Sequence, residues 1–140
     1  MAINRTFAMI KPTAVKNNHI GEILSIIIKS GFTIKALKMT ILSVAEAKRF
    51  YAMHEGKEFF EGLTIYMSSG PIVAMILEKD DAVAEFRKLI GPTDPSQAPE
   101  GTIRKQFGVN VRQNSIHGSD CDDSVGKEWS FFFSQREVEY

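Results

Sequence analysis

Pro71-Ile72-Val73-Ala74-Met75-Ile76-Leu77-Glu78 is a nearly continuous apolar run, bounded by a proline and a glutamate. A strand with one face in water alternates apolar and polar residues. This one does not, so it reads as a central strand covered on both faces. A second run of the same kind, Phe7-Ala8-Met9-Ile10, lies within Arg5 to Ile10 and stops at Lys11-Pro12-Thr13, because Pro12 cannot donate to a sheet ladder. Lys11, at the end of a buried strand, either snorkels out of the sheet edge or serves a site.

The segments around these two strands set the architecture. Ile20, Ile23, Leu24, Ile27 and Ile28 form one apolar helix face, with Gly31 as its stop. Phe32 to Leu42 alternates on even positions as far as Ala36 and on odd positions from Leu37. That change predicts a bulge around Leu37, or partial cover of both faces. Ser43-Val44-Ala45-Glu46 is a capping box opening a helix to about Met53. Glu55-Gly56-Lys57 interrupts it, and Phe59-Phe60-Glu61-Gly62-Leu63 begins another helix, carrying Leu63, Tyr66 and Met67. After the central strand, Asp80 or Asp81 caps a helix with Val83, Phe86, Leu89 and Ile90 on its inner face, closed by Gly91. Gly91 to Asn114 shows little periodicity and holds Pro92, Pro95 and Pro99. A loop this long within a compact domain points to function. Val125 to Phe133 is a short amphipathic segment with Trp129.

The order is thus strand, helix, strand, helix pair, strand, helix, long loop, short strand. It predicts an α+β fold, a ferredoxin-like βαββαβ sandwich: an antiparallel sheet with helices packed on one face. A doubly wound parallel sheet would want more strands. The 140 residues are expected to form a single domain, 1–140, and 44% apolar content excludes a disordered chain. The run from Ile23 to Ile28 is far short of a bilayer span, and Met1 to Arg5 carries no secretory pattern. Cys121 is the only cysteine, which points to a reducing, cytoplasmic setting. A formal net charge of zero gives no reason to expect nucleic acid or a membrane as partner.

The chemistry must therefore be local. Lys11, Arg87, Thr93 and Arg104 lie where strands and helices end, or in the long loop. Two guanidiniums, an ammonium and a hydroxyl suit a polyphosphate. Neither a GxxxxGK[ST] nor a GxGxxG pattern is present, and His19, His54 and His117 lack metal-ligand spacing. His117, within Asn114-Ser115-Ile116-His117-Gly118-Ser119-Asp120, is the best candidate nucleophile. A neutral ring nitrogen can attack phosphorus if an acceptor holds the other. Glu128, Asp120 or Asp122 could be that acceptor.

Asn114-Ser115-Ile116-His117-Gly118-Ser119-Asp120 resembles the N-x-x-H-G-S-D signature of nucleoside diphosphate kinases. Arg5 to Pro12, Phe59 to Leu63, Ser69 to Met75 and Gly101-Thr102-Ile103-Arg104 are similar to further markers of that family, in order, from about Asn4 to Phe133. The resemblance implies the ferredoxin-like fold. It also implies transfer of the γ-phosphate of a nucleoside triphosphate (typically ATP) to a nucleoside diphosphate, by a ping-pong mechanism through phosphohistidine, which maintains NTP and dNTP pools. By the same resemblance, His117 is the nucleophile and Glu128 bonds its far nitrogen. Lys11 and Asn114 reach sugar hydroxyls and phosphates. Tyr51, Arg87, Thr93 and Arg104 bind phosphate or orient the histidine. Phe59 and Val111 sandwich the base, and Ser119 packs beside His117. Mg2+ is expected to accompany the nucleotide, held mainly by its phosphates rather than by protein side chains, and the chain is expected to form a homotetramer or homohexamer.

The chain departs from the family pattern at Thr13-Ala14, where Asp-Gly or Asp-Ala is common, and at Cys121-Asp122-Asp123-Ser124, ahead of Glu128. His19 and His54 read as surface or core-edge residues, and Asp120 as structural. Two other functions fit the residues: a nucleotide-sensing module without catalysis, and a phosphocarrier relaying to a protein. Neither the sensing module's need nor its chemistry accounts for an intact nucleophile with an acceptor behind it.

Overall fold

The computed structural model describes residues 4–139. The reading of Met1-Ala2-Ile3 and the apolar Tyr140 lie outside them. Four strands, β1 (Arg5–Ile10), β2 (Thr33–Thr40), β3 (Ile72–Glu78) and β4 (Ile116–Gly118), form one sheet in the order β2-β3-β1-β4, every neighbouring pair antiparallel. The two continuously apolar segments, β1 and β3, are the inner pair, as their lack of alternation requires.

The helices are α1 (Pro12–Lys16), α2 (Ile20–Lys29), α3 (Val44–Phe50), α4 (Phe60–Met67), α5 (Ala82–Ile90), α6 (Ile103–Phe107), α7 (Asp122–Phe132) and α8 (Gln135–Val138). They cover both faces, not one. Ala8, Ile10, Val73, Met75 and Leu77 pack with residues of α2 and α5. Phe7, Met9, Ile72, Ala74 and Ile76 pack with residues of α3, α4 and α7. Inner strands apolar at every position leave no face that water could wet, so a one-sided sandwich cannot satisfy this sequence.

Several local expectations meet a physical correction. Pro12 does stop β1, yet it also opens α1 as an early helical residue, where its missing N–H costs nothing. The bulge in β2 sits at Lys35, between Ile34 and Ala36, whose partners Leu77 and Ile76 are consecutive. One extra residue flips the face, so Ile34 and Leu37 share a side. The Ser43–Glu46 capping box is present in both directions, with Ser43 N–H donating to Glu46 Oε1 at 2.9 Å and Glu46 N–H to Ser43 Oγ at 3.0 Å. Its helix ends at Phe50, short of Met53, and a 3-10 turn covers Ala52–His54. Asp81 precedes α5 without capping it through its side chain, because its backbone is left-handed (φ 54°). The long loop contains a 3-10 turn, Pro95–Gln97, and α6, both too short to give a periodic signal.

β4 is only three residues long, yet it is tightly fixed. A Cβ built on Gly118 would come 2.9 Å from Phe86 Cδ2 and 3.2 Å from Ile90 Cδ1, so α5 presses directly on this strand. Gly126, inside α7, has nothing within 4 Å of such a carbon. Gly118→Ala is expected to lower stability by about 1–3 kcal/mol through overpacking. Gly126→Ala is expected to raise it by roughly 0.5–1 kcal/mol, because alanine loses less backbone freedom in a helix. Denaturant midpoints of the two variants check both signs.

Candidate active site

β4 carries His117 opposite Met9 of β1. Alternation along the strand sends Ile116 into the core on the α5 side and His117 to the opposite face. There the imidazole lies among Phe7, Phe50 and Tyr51, with ring centroids 6.0, 5.9 and 6.5 Å away. Its Nε2 is 3.0 Å from Glu128 Oε1, on α7. Ser119 Oγ donates to the same oxygen at 2.7 Å. A carboxylate only accepts, so Nε2 carries the proton and the lone pair falls on Nδ1. Glu128 and Ser119 sit behind the ring, leaving Nδ1 as the nitrogen available to the open side.

That side is a cleft of about 650 Å3. Lys11, Tyr51, Phe59, Arg87, Thr93, Arg104, Val111, Asn114 and His117 all line it, drawn from six separate stretches of chain. Every predicted site residue is therefore brought together, with Glu128 and Ser119 as the support behind the histidine. His54, Leu63, Asn110, Arg112, Gln113, Gly118 and Asp120 also line the cleft and were not assigned there from sequence. Most of them flank predicted residues, and that proximity was the signal. His54 follows Tyr51 by three positions and stacks near it, with centroids 6.4 Å apart. Burial and the neighbouring Lys57 hold its pKa below the ordinary value. Asp120 pairs with Arg87 at 3.0 Å, an exposed contact that orients the guanidinium more than it stabilises the fold.

Lys11 does not snorkel. It is 7% exposed and lines the cleft. Its N–H donates to the Ser115 carbonyl at 2.9 Å, which ties the end of β1 to the residue before β4. Ser115 adopts φ 78°, a left-handed backbone that a residue with a side chain rarely takes without support. Burial, and then the charge of Arg104, lower the Lys11 pKa to about 7. Arg104 is itself lowered to about 10, by burial and then by Arg87. Its Nη1 donates to the Gly91 carbonyl and its Nη2 to the Ile116 carbonyl, each at 2.8 Å. Arg104 thus pins both ends of the long loop while facing the cleft. Asn114 Nδ2 donates to the Thr93 carbonyl at 3.0 Å and holds the same loop from within.

Three buried polar atoms on cleft-lining residues, Tyr51 Oη, Arg104 Nε and Asn114 Oδ1, have no hydrogen-bond partner among the described residues. Buried polar atoms are almost always paired, so a cluster of exceptions marks a place shaped for a polar ligand. Burial, then the charge on Glu128, pushes the Tyr51 hydroxyl far above its ordinary pKa, so it stays a donor. Phe59 and Val111 expose 44% and 55% of their surface at the cleft, apolar groups that a flat ligand could cover. Among the described residues no group of three His, Cys, Asp or Glu could hold a metal, and Asp120 is the only carboxylate lining the cleft. The arrangement offers a nucleophilic imidazole nitrogen, a cationic end for phosphates and an apolar end for a ring.

Comparison with known proteins agrees with this geometry. The sequence pattern of the family described as nucleoside diphosphate kinase matches residues 4–138. The chain is 51% identical to a nucleoside diphosphate kinase of Flavobacterium psychrophilum, over 98% of this chain and 99% of that protein. It is 52% identical to one of Hydrogenovibrio crunogenus, over 97% and 96%. In structure it is similar to the Aquifex aeolicus nucleoside diphosphate kinase, with TM-score 0.95 and 42% identity, over 98% and 99% of the two chains. The Halobacterium salinarum nucleoside diphosphate kinase in complex with CDP gives TM-score 0.91 at 38% identity, over 96% and 90%.

Lys11 makes stability depend on pH. Its ordinary pKa is 10.5 and its folded value about 7. Below pH 7 both folded and unfolded chains hold the proton, and the folded state bears the full cost of a buried charge. Between about 7 and 10.5 the unfolded chain holds a proton that the folded one has lost, so this group makes stability rise with pH. Lys11→Met is expected to stabilise the protein at pH 6 and to flatten the rise between pH 7 and 10. Denaturant titrations across that range test the sign.

Proposed function

The chain belongs to the nucleoside diphosphate kinase family, and from that premise we propose how its own residues transfer the γ-phosphate of a nucleoside triphosphate to a nucleoside diphosphate. In the first half-reaction His117 Nδ1 attacks the γ-phosphorus. The bond to the bridging oxygen breaks, the nucleoside diphosphate leaves, and a phosphohistidine remains. In the second, the terminal oxygen of another nucleoside diphosphate attacks that phosphorus, and the N–P bond electrons return to Nδ1. The observation that carries this reading is the 3.0 Å contact of His117 Nε2 with Glu128, itself held by Ser119. It fixes the tautomer and stabilises the cation that forms when Nδ1 becomes bonded to phosphorus.

Lys11, Arg87, Thr93 and Arg104 take the phosphates in this reading, and the Tyr51 hydroxyl donates toward the reacting group. Lys11 and Asn114 reach the sugar. Phe59 and Val111 cover the base, an arrangement supported by their exposed position at the cleft. Phosphoryl transfer depends mainly on positioning and charge neutralisation, which a preformed cationic end supplies. Mg2+, when bound with the nucleotide, would neutralise phosphate charge. The phosphates would hold it in the main, with Asp120 the carboxylate that lines the cleft.

The chain also self-associates in this reading, as a homotetramer or homohexamer. β2 is an edge strand with Leu37, Met39 and Ile41 exposed on or beside it, an arrangement that monomers avoid. The activity is placed in the cytoplasm. The lone Cys121 supports that, and among the described residues no helix is long and apolar enough to cross a membrane.

Incubation with γ-labelled ATP is expected to label the wild type with acid-labile, alkali-stable chemistry, and the label is expected to move to any added nucleoside diphosphate. His117→Ala should carry none; undiminished label there sinks the assignment. Glu128→Gln should slow labelling by roughly ten- to a hundredfold, the equivalent of losing a charge-assisted hydrogen bond of about 1.5–3 kcal/mol. Light scattering should report an oligomer that Met39→Lys weakens; a monomeric wild type would exclude the assembly.

A further inference from the structure

Arg112 is a cation that lines the cleft and has no acidic partner among the described residues. Its guanidinium makes no hydrogen bond or ion pair among the described residues, while the nearest carboxylate along α4, Glu61, is paired with Lys48 at 3.6 Å. Its tip lies against α4. A Cβ built on Gly62 of α4 would fall 2.4 Å from Nη2 and 2.6 Å from both Cζ and Nη1, so the guanidinium lies flat on bare helix backbone. The loop that carries it is closed on itself. Asn110 Oδ1 accepts from the Arg112 N–H at 3.1 Å and from the Gln113 N–H at 2.8 Å, and Val109 N–H donates to the Gln113 carbonyl at 2.8 Å.

This placement puts a set of donors at one end of the base site. Arg112 follows Val111 directly in the chain. Its tip rests on Gly62, three residues after Phe59 and so on the same helix face. It bridges the two apolar walls that the proposed function assigns to the base. With both ring faces covered by Phe59 and Val111, what remains of a base for Arg112 to meet is its edge. At the end far from the sugar, guanine carries O6 and uracil O4, both acceptors. Adenine and cytosine carry amino donors at the same places. A guanidinium has only donors to offer.

We propose that Arg112 is a specificity-determining residue, which biases the enzyme toward bases with a keto oxygen at the distal edge, guanine over adenine and uracil over cytosine. The bias rests on the reading of Phe59 and Val111 as the base walls. It acts through position as well as charge, since the guanidinium reaches that edge only because residue 62 has no side chain.

The test is the second half-reaction, dephosphorylation of the phosphorylated full-length enzyme by GDP, ADP, UDP and CDP, scored as ratios of kcat/KM. In the wild type the G/A and U/C ratios should both exceed one, by about fivefold, the lower end for a base-edge contact in an exposed site. Arg112→Ala should bring both ratios toward one, with the change in KM. Gly62→Ala keeps the charge but displaces it, and should do the same. Ratios that stay unchanged in Arg112→Ala overturn the proposal, including the case where all four rates fall in parallel, which is the signature of a phosphate contact. Ratios that survive Gly62→Ala overturn the positional part. Phe59→Ala separates the premise: if it leaves KM unchanged for all four nucleotides, the base-wall reading fails, whatever the ratios do.

Discussion

A single carboxylate oxygen, Glu128 Oε1, accepts from both His117 Nε2 and Ser119 Oγ, and the chemistry of the site depends on it. The two donors come from β4 and the residue just past it, and the acceptor from α7, so the contact also closes the sheet against its last long helix. A carboxylate in this position is costly to bury unless paired. Here it is nearly buried, and two short hydrogen bonds offset that cost. The same contact decides which ring nitrogen is protonated. Geometry and chemistry therefore have one cause: remove the acceptor and the ring loses both its orientation and its tautomer.

The cations follow a related economy. Arg104 devotes Nη1 and Nη2 to carbonyls of Gly91 and Ile116, and Lys11 holds Ser115 through its backbone rather than its side chain. The phosphate end is thus assembled by groups that also hold the long loop to β4. Burying these cations together is unfavourable without an anion: burial and then Arg104 lower the pKa of Lys11, and burial and then Arg87 lower that of Arg104. An incoming polyphosphate relieves that repulsion. Part of its binding free energy comes from a strain already present in the folded chain.

How far this was legible from sequence varied with the range of the interaction. The inner strands, the helix faces and the Ser43 capping box follow from local patterns, and the structure places them within a few residues of the expected bounds. The helices on both faces of the sheet could have been inferred from Phe7 to Ile10 and Ile72 to Leu77, whose apolar character on both sides leaves no alternative. Glu128 was one of three candidate acceptors by spacing alone. The family resemblance singles it out, and the packing of α7 across the sheet supplies the physical reason, since Asp120 turns instead to Arg87. The double duty of Arg104, the left-handed backbone at Ser115 and the seat of Arg112 on Gly62 left no trace in the pattern. Each depends on two segments far apart in the chain meeting at one point.

The two ends of the cleft hold their residues differently, and the contrast has a chemical logic. At the histidine end His117, Ser119 and Glu128 are held together by short hydrogen bonds, because an error of about 1 Å at a reacting phosphorus can cost a hundredfold in rate. At the other end Phe59 and Val111 are exposed and apolar, and contact through ring faces is indifferent to which base is present. An enzyme that must accept many nucleotides and transfer phosphate accurately needs both regimes in one cleft. A guanidinium at the base edge is consistent with this division. It can tilt the preference among bases by a modest factor without closing the slot to any of them.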